Sequence, residues 1–209
     1  MSGFYFIFFL WNVWIFSTFI LNKQNKLRIW LAFYSLILLI LFPYKVNLFT
    51  ITFQIPSLVI LTVSYYYLTT LSFLKKMYMI ISIFIMMTGF SGFLLLELYD
   101  PVWVLVDRRI LLGGLVFLIS QLLLSRSIYS QIICSLLGTL QGEIIYSLIL
   151  KKWGFPYIVG SSEYLDVCSV FLSLIIVWSF INHVSTIMSI KNSLKTKNKD
   201  ILGVKNISK

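Results

Sequence analysis

Glu143 is the one carboxylate that falls well inside an apolar run, in Leu137-Gly138-Thr139-Leu140-Gln141-Gly142-Glu143-Ile144-Ile145-Tyr146. An ionised acid away from water is costly, so this one is expected to be neutral, or held by a cation or hydrogen-bond donor. Arg108 and Arg109 are the candidate partners at that depth. They close a charged stretch that opens with Glu97-Leu98-Tyr99-Asp100-Pro101-Val102-Trp103 and includes Asp107. Two roles compete for Glu143. One is a structural ion pair or hydrogen bond; the other is a proton-relay or solute-binding carboxylate in an outward-facing site lined by Glu97, Asp107, Arg108, Arg109 and Glu143. Gly138 and Gly142, spaced GxxxG on the same run, permit close backbone approach, either within one bundle or between two copies of the chain. Gly89 with Gly92, and Gly113 with Gly114, offer similar small faces.

Other chemistries find no residues to carry them. The chain has no HExxH, no GxSxG, no phosphate-binding glycine loop and no Ser/His/Asp set. His183 is the single histidine, and with only Cys134 and Cys168 it cannot build a zinc site. The two cysteines fall near opposite membrane faces on the topology given below, so they are expected as small packing residues rather than a disulfide. No metal, no cofactor and no enzymatic activity are expected.

The elements that position these residues follow from composition. Hydrophobic residues make up 59% of the chain and charged residues 11%, with a mean hydropathy of +0.94. Such a chain cannot cover itself with polar surface. Runs such as Phe4 to Leu21, Met77 to Leu96 and Ile128 to Leu150 approach or exceed the ~18 to 20 residues that cross a hydrocarbon core. They lack the period-2 alternation of a barrel, so the backbone must satisfy itself in helices. Met1 to Leu10 carries no basic leader, so the first run is expected as a membrane helix and not a cleaved signal.

Seven spans fit: Phe4 to Leu21, Ile29 to Pro43, Pro56 to Phe73, Met77 to Leu98, Arg109 to Leu124, Ile128 to Leu150 and Leu165 to Met188. The stretch Tyr44 to Ile55, where Thr50, Thr52 and Gln54 alternate with apolar residues, reads as an interfacial segment or an extension of the third span. Asp107 suits the N-cap of the fifth span, and Trp103 suits the headgroup interface. With the N-terminus outside, twelve of the seventeen Lys and Arg fall on one side of the membrane. That side should be the cytoplasm. The basic charge is therefore topological, and no nucleic acid is implied. The fold expected is an all-α, polytopic bundle over residues 1–188, N-terminus outside. A basic, disordered cytoplasmic tail follows over 189–209.

The pentapeptide Tyr34-Ser35-Leu36-Ile37-Leu38 returns as Tyr146-Ser147-Leu148-Ile149-Leu150, each shortly before Phe-Pro-Tyr. A true repeat would make two parallel three-helix units joined by the fourth span. A chain so rich in Leu, Ile and Ser also produces such echoes by chance.

Several strings together resemble the YphA-like family of integral membrane proteins of Bacillus and related Gram-positive bacteria. They are Trp11-Asn12-Val13-Trp14, the Glu97 to Trp103 stretch, Asp107-Arg108, and Gly142-Glu143-Ile144-Ile145-Tyr146 leading to Lys151-Lys152. The resemblance spans nearly the whole chain. It implies a bacterial plasma membrane and carries over no catalytic residue. Two functions are then expected to compete. One is a non-catalytic scaffold or modulator of an envelope complex, with a membrane-protein partner or a second copy beside it in the bilayer. The other is a small-solute or proton-coupled transporter using Glu143 with Arg108 and Arg109. A polar cavity reaching Glu143 favours the carrier, and a closed core with Glu143 fully paired favours the partner protein.

Overall fold

The computed structural model describes residues 2–22, 26–48, 51–100, 107–124 and 127–207, with side chains over 2–22, 28–48, 51–100, 107–124 and 127–188. Seven α-helices run in order. They are α1 (Phe4–Ile15), extended by a wider π-helical turn over Phe16–Ile20, then α2 (Lys26–Leu41), α3 (Ile55–Thr69) and α4 (Phe73–Tyr99). After these come α5 (Arg108–Leu124), α6 (Ile128–Lys152) and α7 (Ser162–Ile207). Each start has a local cause. Pro56 sits in the first turn of α3, where its missing N–H costs nothing. Asp107 Oδ1 accepts from Arg109 N at 3.0 Å and caps α5, as its position suggested. Ser127 caps α6, whose last turn carries Lys151 and Lys152 at the negative end of the helix dipole.

Helices α4, α6 and α7 each hold a stretch long and apolar enough to cross a membrane, α7 over Ser162–Met188. α1 with its π turn, α2 and α3 are shorter apolar helices. The outer faces of the bundle are bare of cover: Phe8, Phe19, Ile29 and Leu122 are among many large apolar side chains left exposed. An area this wide would drive aggregation in water, and it is what lipid covers.

α6 lies at the centre and touches α3, α4, α5 and α7. Gly138 and Gly142 make the α4 contact: a Cβ on Gly138 would stand 2.5 Å from Met86 Cβ, and one on Gly142 3.0 Å from the Met87 carbonyl. The GxxxG pair is thus used inside the bundle. Gly113 does the same for α5 against α7, where an added Cβ would meet Val170 at 2.6 Å. Cys134 and Cys168 are buried and unpaired.

One expectation needs correction. The fold is not purely helical: β1 (Lys45–Leu48) and β2 (Ile51–Gln54) form an antiparallel hairpin, and β3 (Ile158–Val159) joins β2 in parallel. The alternation seen over Tyr44 to Ile55 is the strand period of this hairpin. The backbone of the basic segment continues α7 to Ile207. It contains no proline and is rich in lysine, which suits a helix.

Candidate functional site

One end of the bundle collects the N-terminus, the small sheet, the end of α4 and the starts of α5 and α7. Asp166 organises it. This fully buried carboxylate accepts from the backbone N–H of Gly3 at 2.7 Å and of Phe6 at 3.0 Å, and its Oδ2 lies 2.9 Å from Arg109 Nη1. The two N–H groups belong to the first turn of α1, which has no helical acceptor for them. A side chain of α7 thereby caps α1, and Gly3 takes the left-handed φ of +93° that the capping geometry requires. Arg109 also lies over the Tyr5 ring.

Arg108 turns the other way. Its Nη1 donates to Glu163 Oε2 at 3.2 Å, and its Nε lies 2.9 Å from Glu97 Oε1. The second contact is an ion pair whose angles fall short of a hydrogen bond, so Arg108 Nε is buried without a hydrogen-bond partner, as is the other Glu97 oxygen, Oε2. The four outer residues Glu97, Asp107, Arg108 and Arg109 therefore do gather at one end. The turn expected at Asp100-Pro101 and the interfacial Trp103 lie outside the described residues, apart from Asp100 itself.

Glu143 is held by hydrogen-bond donors, one of the arrangements expected, and not by its candidate cations Arg108 and Arg109. Its Oε1 accepts from the Tyr157 hydroxyl and its Oε2 from the Gly160 backbone N–H, both at 2.6 Å. Both donors come from the strap 153–161 between α6 and α7, which folds back over the end of α6. Gly160 can occupy this place because it holds a φ of +71° and because any Cβ would run into Ser57 at 2.2 Å. Burial first, and then the neighbouring Glu143 charge, push the Tyr157 hydroxyl above its ordinary pKa, so it stays a proton donor. The arginines missed Glu143 because acids nearer the end, Glu97, Glu163 and Asp166, took them first. Arg108 still acts on Glu143 through space.

A cavity of about 280 Å³ sits between these groups. Glu143, Tyr157 and Tyr164 meet Asp107, Arg108, Arg109 and Glu163 around it, with Phe90, Leu94 and Leu112 as apolar walls. Its lining presents both signs of charge. Glu143 is 1% exposed, so it forms part of the floor. Sequence reading missed Asp166, Tyr157, Tyr164 and Glu163. Among the described residues, no group of His, Cys, Asp and Glu is arranged to hold a metal.

A bundle of long apolar helices with charged groups drawn to its ends defines a helical integral membrane protein. Residues 2–200 match the family described as YphA-like integral membrane proteins, and the chain belongs to that family. It is 25% identical over 197 residues, 94% of its own length and 97% of the other, to "Uncharacterized protein YphA" of Bacillus subtilis (strain 168). No solved structure matches it.

Proposed function

We propose that the chain is a seven-span protein of the bacterial plasma membrane, N-terminus outside, that binds a small solute in the outer cavity as a carrier and has no catalytic chemistry. The Lys and Arg count supports the orientation. Geometry agrees with the span count: the sheet ties the α2–α3 connection to the α6–α7 strap, and Asp166 ties the N-terminus to the head of α7. Seven crossing helices put all these segments on one face.

The observation that carries the carrier reading is the charged cavity with Glu143 on its floor. A carboxylate has about four acceptor sites, and the strap takes two, so Glu143 can still receive an ammonium group. Arg108 and Arg109 at the rim suit a carboxylate. The solute class that fits is therefore a small zwitterion. Thermal unfolding of the purified protein in detergent, with millimolar glycine, methylammonium or acetate, tests this. Glycine should raise the midpoint by several degrees in the wild type and not in Glu143→Gln. No shift with any of the three would remove the solute site.

The full hydrogen bonding of both Glu143 oxygens favours a second reading, a scaffold or modulator whose acid only locks the strap. That reading expects no solute shift, and a membrane-protein partner retained through mild detergent purification.

A further inference from the structure

Helix α6 carries a polar residue at every fourth position along its whole length: Ser127, Gln131, Ser135, Thr139, Glu143, Ser147 and Lys151. From Gln131 to Ser147 all five are buried. Buried hydroxyls in membrane helices ordinarily serve as glue, bonded to a neighbouring helix or to the preceding turn. Most of those here do so, Ser82 for instance donating to the Tyr78 carbonyl. Ser135 does not. It is fully buried, and its Oγ has no hydrogen-bond partner.

The row also joins two cavities. Its outer part reaches the charged cavity at Glu143 and at Tyr164, whose hydroxyl shares a 2.8 Å hydrogen bond with Thr139 Oγ1. Its inner part reaches a second cavity of about 260 Å³, around which Gln121 and Gln131 meet Ser179, Asn182, His183 and Thr186. Gln131 donates to Gln121 there at 3.2 Å. From Glu143 to Gln131 is twelve residues, ~18 Å along the helix, and the hydroxyls of Tyr164, Thr139 and Ser135 occupy the interval. Each hydroxyl both donates and accepts, which a proton relay needs. Successive α6 positions are ~6 Å apart, a gap that one water bridges.

We propose that the α6 row is a proton path, entered at Glu143 from the outer cavity and left through the Gln131–His183 cavity on the cytoplasmic side. Glu143 takes a proton from water in the outer cavity, and each hydroxyl then accepts one proton as it releases another. The imidazole of His183 or water in the inner cavity receives the last. Only O–H and N–H bonds form and break, and one positive charge crosses per proton. The path rests on the proposed orientation and on the outer cavity, and it does not require a solute there.

The test is proton flux into proteoliposomes holding a pH-sensitive dye, with valinomycin and a potassium gradient supplying the counter-charge. Wild type should acidify the lumen about tenfold faster than empty vesicles. Ser135→Ala and Glu143→Gln should fall to the empty-vesicle rate, and Ser135→Thr should keep most of the flux. Ser82→Ala, a buried hydroxyl off the row, should leave it unchanged. Each variant's folding is checked by its elution as a monodisperse peak. Wild-type flux equal to that of empty vesicles, or Ser135→Ala and Glu143→Gln proteins as fast as wild type, would overturn the path. Glycine binding without flux removes the path and leaves the solute site; flux without glycine binding does the reverse.

Discussion

Two buried carboxylates stand near the same end of this bundle and are held in opposite ways. Asp166 has a guanidinium in contact and two backbone N–H groups from another helix. Among the described residues Glu143 has only neutral donors, a phenol and one amide, and both belong to the strap. Charge balance explains the division. A carboxylate with a bonded cation is satisfied in its ionised form and serves as a fixed joint between α1, α5 and α7. One held by neutral donors keeps acceptor capacity for a further cation or proton, and that is the state a binding or relay group needs.

The largest effect should come from breaking the fixed joint. Asp166→Ala leaves Arg109, about one-fifth exposed, without its carboxylate and leaves the Gly3 and Phe6 N–H groups without an acceptor. Removal of one partner of a largely buried pair costs about 3–5 kcal/mol. Unfolding by sodium dodecyl sulfate in mixed micelles should show that loss, with α1 detaching first, read as early protease cleavage near the N-terminus. A variant as stable as wild type would mean that Asp166 is no joint.

Glu143→Gln should cost less. The amide keeps one carbonyl oxygen for a strap donor, and the Tyr157 hydroxyl can rotate to accept from the new NH₂. An unsatisfied buried donor is worth about 1–3 kcal/mol, and only the Tyr157 hydroxyl proton is at risk. In the same mixed micelles the loss should be smaller than for Asp166→Ala. A larger one would make Glu143 the structural acid and reverse the comparison.

How much of this was legible beforehand differs with the range of the interaction. Helix positions follow from runs of Leu, Ile and Phe, a signal carried by each segment alone, and the Asp107 cap follows from a residue two positions from its donor. The hairpin was half visible: Thr52 and Gln54 alternate with Ile51 and Phe53. Its pairing with β3 joins residues more than a hundred positions apart. The partners of Glu143 left no trace of charge, since a tyrosine and a glycine amide look like ordinary loop residues. Gly160, followed by Ser161 and Ser162 after the Pro156 break, marked only a turn. Asp166, one position inside the final apolar run, was the stronger clue, because an acid there requires a partner as surely as Glu143 does. Arg108 and Arg109 were candidates for Glu143 on depth along the helix alone; rotation about it, which the sequence does not carry, turns them to Glu97, Glu163 and Asp166.

The smallest effect should come from the rim. Arg108 bridges Glu97 and Glu163, and the Glu163 side chain is about half exposed, so water and salt screen the pair. Exposed pairs of this kind contribute about 0–1 kcal/mol. Glu163→Gln should therefore change stability by less than about 1 kcal/mol at low salt. In molar salt the difference should vanish. Its consequence is instead electrostatic: with one rim carboxylate gone, Arg108 keeps Glu97 alone, and the cavity mouth becomes more positive. If the outer cavity takes a zwitterion, glycine should still stabilise Glu163→Gln, and acetate should gain relative to methylammonium. A stability loss as large as that of Asp166→Ala would show that the rim, too, is a fixed joint, and the contrast between a structural and a responsive acid would no longer hold.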